Sequence, residues 1–126
     1  MLAEFRDFVK TFNIGDHFSI GKIDGSKNKS IGIYGDTNGV RVEAIGKLSS
    51  YDRTNMRILI HWTKNLKETE EAARTLYSAL RNLNDFTMTD THVQILDLLQ
   101  GEPTFVGTDE NGVYEYVITL TLYYRR

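Results

Sequence analysis

The chain has 126 residues, a formal charge of −2 and no cysteine, which suits one domain and removes disulfides, thiolate zinc sites and cysteine nucleophiles together. An acidic balance argues against wrapping bulk nucleic acid. No apolar run reaches the roughly 18–20 residues of a membrane span, and the acids in MLAEFRDFVK are unlike a signal peptide, so a soluble protein made in a cytoplasm is expected.

From Leu2 to Phe12, the residues Leu2, Phe5, Phe8, Val9 and Phe12 recur at helical spacing and predict a short amphipathic helix, with Asn13 and Gly15 as stop residues. His17 to Ile23 reads as a strand. The polar loop Asp24-Gly25-Ser26-Lys27-Asn28-Lys29 follows it. Ser30 to Gly35 and Val40 to Ile45 flank Asp36-Thr37-Asn38-Gly39, a hairpin signal because Asn and Gly tolerate positive φ. A second polar stretch, Lys47 to Asn55, has no apolar period and reads as a loop. Met56 to Trp62 then alternates, with Met56, Ile58, Ile60 and Trp62 on one face.

The long helix is predicted from about Lys67 to Asn82, capped either by Asn65 with Glu68 or by Thr69 with Glu70 and Glu71. Ala72, Ala73, Leu76, Leu80 and Leu83 form its buried stripe. Thr91 to Leu99 and Thr104 to Thr108 make one interrupted arm of a long hairpin, broken where Gly101 and Pro103 spoil the ladder. The turn Asp109-Glu110-Asn111-Gly112 leads into Val113–Arg126, rich in β-prone residues and free of Gly and Pro. Tyr114, Tyr116, Ile118, Leu120, Leu122 and Tyr124 share one face of that strand.

Chemistry is sparse. His17, His61 and His92 have no metal-ligand spacing and read as strand residues near a sheet surface; no metal is expected. Nucleophile elbows and phosphate loops are absent. Acid pairs such as Glu70-Glu71 and Asp109-Glu110 are explained by helix-start and turn positions. No catalytic residue and no cofactor is expected. The tyrosines suit a core and a protein interface better than a nucleic-acid platform, which would need a basic groove beside them.

Four stretches in this order carry a resemblance: KSIGIYG at Lys29–Gly35, AIGKLSSYDRTNMRILIHWTKN at Ala44–Asn65, KETEEAARTLYSAL at Lys67–Leu80 and PTFVGTDENGVYEYVITLTLYYRR at Pro103–Arg126. The chain resembles the minor capsid or tail terminator proteins of long-tailed bacteriophages and prophages. That resemblance implies an α+β fold, a curved mixed and mostly antiparallel sheet with one long and one short helix on one face. It implies a virion structural protein at the head–tail interface, six copies forming a ring on the head-proximal end of the tail. The implied partners are further copies of itself, the tail tube protein and a head completion or connector protein. No membrane and no sequence-specific nucleic acid is among them. Asp24, Lys27, Lys29, Ser50, Tyr51 and Arg53, in the two polar stretches, are the candidate assembly residues. The rival reading is a ferredoxin-like small-molecule binding or regulatory domain, which would need a closed apolar pocket, for instance around His61 and Trp62.

Overall fold

The computed structural model of the chain describes residues 1–35 and 51–125. Helix α1 (Leu2–Lys10) buries Phe5 and Val9, two residues of the expected stripe. The Thr11 hydroxyl then donates to Phe8 O at 2.6 Å, and the chain leaves the helix through Asn13 (φ 58°) and Gly15 (φ 90°). Gly15 is also required by space, because a Cβ there would meet Lys29 O at 3.1 Å and Trp62 Cζ3 at 3.2 Å.

The described strands are β1 (His17–Ile20), β2 (Ser30–Gly35), β3 (Tyr51–His61), β4 (Phe86–Thr87), β5 (His92–Leu98), β6 (Thr104–Thr108) and β7 (Tyr114–Arg125). They form one curled mixed sheet in the order β1-β2-β3-β7-β5-β4, with β6 beside β7 on the same side as β5. Only the β1–β2 pair is parallel among the described strands. Its centre is the antiparallel pair β3–β7, in register from Tyr51↔Arg125 to His61↔Glu115.

Alternation makes that centre two-faced. Met56, Ile58 and Ile60 lie opposite Leu120, Ile118 and Tyr116, and Ile31 and Ile33 of β2 extend the same apolar face. All of them are buried. Helix α2 (Leu66–Arg81) adds Ala73, Leu76 and Leu80 to this core, and α1 adds Phe5 and Val9, so both helices cover one face of the sheet. The other face carries Arg57, Leu59, His61, Glu115, Val117, Thr119 and Thr121 by the same period of two.

Between the two possible starts of the long helix, the fold selects Asn65. Its Oδ1 accepts the Glu68 N–H at 3.1 Å, while Thr69 is buried and turns its hydroxyl to Asn65 O. The interrupted hairpin arm also forms as expected. β5 pairs with the far half of β7 and β6 with the near half, and buried Pro103 lies in the break between them. The break is tied to α2, since the Tyr77 hydroxyl donates to Gln100 O at 2.7 Å and Arg74 reaches Glu102 at 3.5 Å.

Two strand boundaries and one added strand depart from the sequence reading. β1 stops at Ile20 rather than Ile23, because Gly21 (φ 73°) turns away after donating its N–H to Ile33 O at 2.8 Å. Tyr51 to Asn55 belong to β3 and are not loop. Backbone pairing with the long β7 does not require apolar side chains, and polar contacts serve instead: Thr121 Oγ1 donates to Asn55 Oδ1 at 2.6 Å. The two-residue β4 had no legible pattern of its own. The hairpin expected around 36–39, its arm 40–45 and the stretch 47–50 lie outside the described residues.

Removing a fully enclosed leucine loses both transfer energy and packing. Leu76→Ala should therefore lower unfolding free energy by about 2–5 kcal/mol, read as a shifted denaturant midpoint at unchanged slope. A loss below about half a kcal/mol would mean that α2 does not seal this core.

Candidate functional site

The loop between β1 and β2 carries three of the six candidate residues. Its tip is an Asx turn. Asp24 Oδ1 accepts the Ser26 hydroxyl at 2.6 Å and the Ser26 N–H at 3.0 Å, bonds that hold the Asp24 carboxyl below its ordinary pKa. Lys27 Nζ lies 4.0 Å from Asp24 Oδ2, and Lys27 O accepts the Ser30 hydroxyl at 2.8 Å.

Lys29 closes the loop with a left-handed backbone (φ 55°). Its N–H donates to Trp62 O at 2.9 Å, and its carbonyl accepts from Asp16 N at 2.8 Å and His17 N at 3.3 Å. One residue thus joins the start of β1, the start of β2 and the end of β3. Its ammonium points to Glu68 in the first turn of α2, 4.0 Å away. Ile23 folds back over the sheet. A Cβ on Gly32 would come within 2.7 Å of Ile23 Cγ1, so glycine at 32 leaves the space in which Ile23 sits.

A groove of about 400 Å³ runs beside this loop, lined by Arg6 and Lys10 of α1, by His17 and Ser19 of β1, and by Asp24 and Lys27 of the loop. Arg6 and Lys10 belong to the helix that covers the core face, whereas His17 and Ser19 share the register of Ser30 and Gly32 on the opposite face. The groove therefore passes across the outer edge of β1. It is open and charged, unlike the closed apolar pocket the small-molecule reading needs, and neither His61 nor Trp62 lines it.

Of the other candidates, Tyr51 and Arg53 lie in β3, opposite Arg125 and Tyr123 of β7, on the far side of β2 from this groove. Ser50 lies outside the described residues. The structure thus gathers Asp24, Lys27 and Lys29 and leaves Tyr51 and Arg53 in the sheet.

Sequence reasoning missed a second polar cluster. His61 is not a surface histidine; it is 2% exposed. Its Nδ1 lies 2.9 Å from Glu115 Oε2, its cross-strand partner, and 3.7 Å from Asp109 Oδ2 in the β6–β7 turn. Since a carboxylate only accepts, Nδ1 donates toward Glu115, and Nε2 is left buried with no partner among the described residues. The signal was present but long-range: His61 and Glu115 are adjacent only once β3 and β7 are in register.

Asp109 organises the turn. Its Oδ1 accepts the N–H groups of Asn111 and Val113, each at 2.9 Å. The Val113 bond leads the effects that hold its carboxyl below the ordinary range, against a desolvation that pushes the other way. Glu4 behaves alike. The Asp90 N–H, at 2.9 Å, lowers its pKa most, and the Thr91 hydroxyl at 3.0 Å adds to it. Among the described residues no cluster of three or more His, Asp or Glu is disposed to hold a metal ion, and His17 and His92 stand on β1 and β5, far apart in the strand order.

A depressed carboxylate stabilises the fold at pH above its ordinary value near 4 and loses that contribution as pH falls through its lowered native value. Asp109→Ala should cost about 1–3 kcal/mol at neutral pH through loss of the two turn bonds. The gap from wild type should shrink in denaturant titrations taken at progressively lower pH, below about pH 4. A gap independent of pH would show that charge at Asp109 is not what holds the turn.

Compared with known proteins, the chain matches over residues 8–126 the model of a family described as "Bacteriophage tail terminator protein". No curated protein matches it significantly.

Proposed function

Because this chain belongs to the bacteriophage tail terminator family, we propose that it caps the head-proximal end of a growing phage tail as a ring of copies, six in number, and there joins tail to head. Membership itself makes it a structural protein of the phage tail and associates it with the virion. The match over residues 8–126 is the observation that carries the reading.

The physical logic of a cap supports the finer steps. A tube built from identical rings exposes at its growing end the surface that recruits the next ring. Growth stops when something binds that surface without reproducing it on its far side. A ring does this if one of its faces fits the tube and the other fits the head connector. Repetition around the ring lets individually weak contacts sum to firm attachment, and closure of a heterologous interface fixes the number of copies. On this reading the partners are further copies of the chain, the tail tube protein and a head completion protein, and the chain performs no catalytic step.

The loop that gathers Asp24, Lys27 and Lys29 is proposed to contact one of these partners. It is polar, exposed at 24–28 and anchored at both ends, a rigid base carrying a solvated tip. Lys27 and Lys29 make only long ion pairs at the surface, which contribute little to stability. Reversing both charges, Lys27→Glu with Lys29→Glu, should leave the melting temperature within a few degrees of wild type while weakening attachment to tails.

The decisive experiment is electron microscopy of a lysate from a phage or prophage lacking this gene. Overlong or unjoined tails beside separate filled heads are expected. Normal full-tailed infectious particles would overturn the proposal.

A further inference from the structure

The sheet has two outer edges that no described strand covers: β1 at one end, and β6 with the adjoining length of β5 at the other. β4 pairs with β5 only at His92 and Val93, leaving the rest of that side of β5 without a neighbouring strand among the described residues. Unpaired strand edges of this kind template pairing with another chain unless something blunts them.

These edges are marked by their side chains. Among the described residues six large hydrophobic residues are exposed, and five of them lie on or next to the two edges. Ile95, Leu99, Phe105 and Val106 are 50–55% exposed on the β5–β6 side, and Ile20 is 39% exposed on β1. Phe105 stands opposite Tyr116, a core-facing residue, so it projects on the helix-covered face. Phe18 and Ile20 stand opposite Ile31 and Ile33 and project on that same face.

Charge separates the two edges. Residues 82–124 contain seven carboxylates and not one lysine or arginine. Asp97, Glu102 and Glu110 are exposed beside the β5–β6 edge, and Arg74 of α2 is the cation that meets Glu102 there. At the other end, the groove across the edge of β1 is lined by Arg6, Lys10, His17 and Lys27, with Asp16 and Asp24 as its acids.

We propose that the β1 edge of one copy pairs with the β6 edge of the next, so that the sheet continues from subunit to subunit. This rests on the ring reading above and names the two surfaces that reading requires. The edges differ from each other, as a heterologous interface demands: one is apolar within a carboxylate-rich stretch, while the other adjoins a groove of mixed charge that brings Arg6, Lys10 and Lys27 to its rim beside Asp16 and Asp24. Strand directions agree as well. β1 and β2 run one way, β3 the other, β7 back, and β6 opposite to β7. β1 and β6 therefore point in opposite directions, and rotation about an axis along the strands preserves directions. The join is antiparallel, and it places Phe18 and Ile20 on the same face as Phe105.

The chain's lack of cysteine gives a direct test. Full-length Ile20→Cys, Phe105→Cys and the double variant, all altered at exposed positions, are bound to terminator-deficient tails and treated with a short bismaleimide. The double variant should give a ladder of covalent multimers ending at the ring's copy number, and neither single variant should give dimers. Tail binding without a ladder, or dimers from a single variant, overturns the edge pairing and leaves the terminator reading standing. Failure of wild-type protein to bind the tails overturns both.

Discussion

The pairing of β3 with β7 is the constraint on which the remaining structure depends. These are the two longest described strands and they stay in register along the whole of β3. On one face their side chains meet as Met56 with Leu120, Ile58 with Ile118 and Ile60 with Tyr116, the cross-strand apolar contacts that stabilise an antiparallel pair. A slip of one residue would turn one strand's three toward the face opposite its partner's three, so the register is strongly specified. β2 then adds to β3, β5 and β6 add to β7, and both helices settle on the apolar face. The short strands are left at the margins of the sheet.

Polar groups do a different task in this fold: they fix where the chain turns. Asp109 gathers the backbone of the β6–β7 turn, Glu4 binds the turn before β5, Asn65 caps α2, and the Lys29 backbone joins three strand ends. Each connects a local turn to an element distant in sequence or fixes a helix start. The His61–Glu115–Asp109 cluster belongs to this group, holding the β6–β7 turn against the end of β3. What these contacts leave exposed is a charged loop, a groove of mixed charge and an apolar strand edge. The chain is a structural component of a phage tail by family, and these are the surfaces on which the proposed contacts rest.

The sequence alone determined the elements whose side chains repeat. The stripe on α2, the alternation in 56–62 and 114–124 and the helical spacing of Phe5 and Val9 were legible because burial on one face imposes a period; full burial then occurred at the middle of each pattern, as at Ala73, Leu76 and Leu80, while Ala72, Leu83, Tyr114 and Tyr124 at the margins are only partly buried. The Asn65 cap was one of two readable starts, and only the burial of Thr69 decided between them. Tertiary structure alone decided what depends on partners far away in the chain. Tyr51 to Asn55 became strand because β7 is long enough to pair with them whatever their side chains. His61 became buried where Glu115 and Asp109 meet it at sequence separations of 54 and 48. The candidate assembly residues were separated likewise, Lys29 into a backbone junction and Arg53 into the sheet. A period is a local property and can be read in order; register and edges exist only after the strands have met.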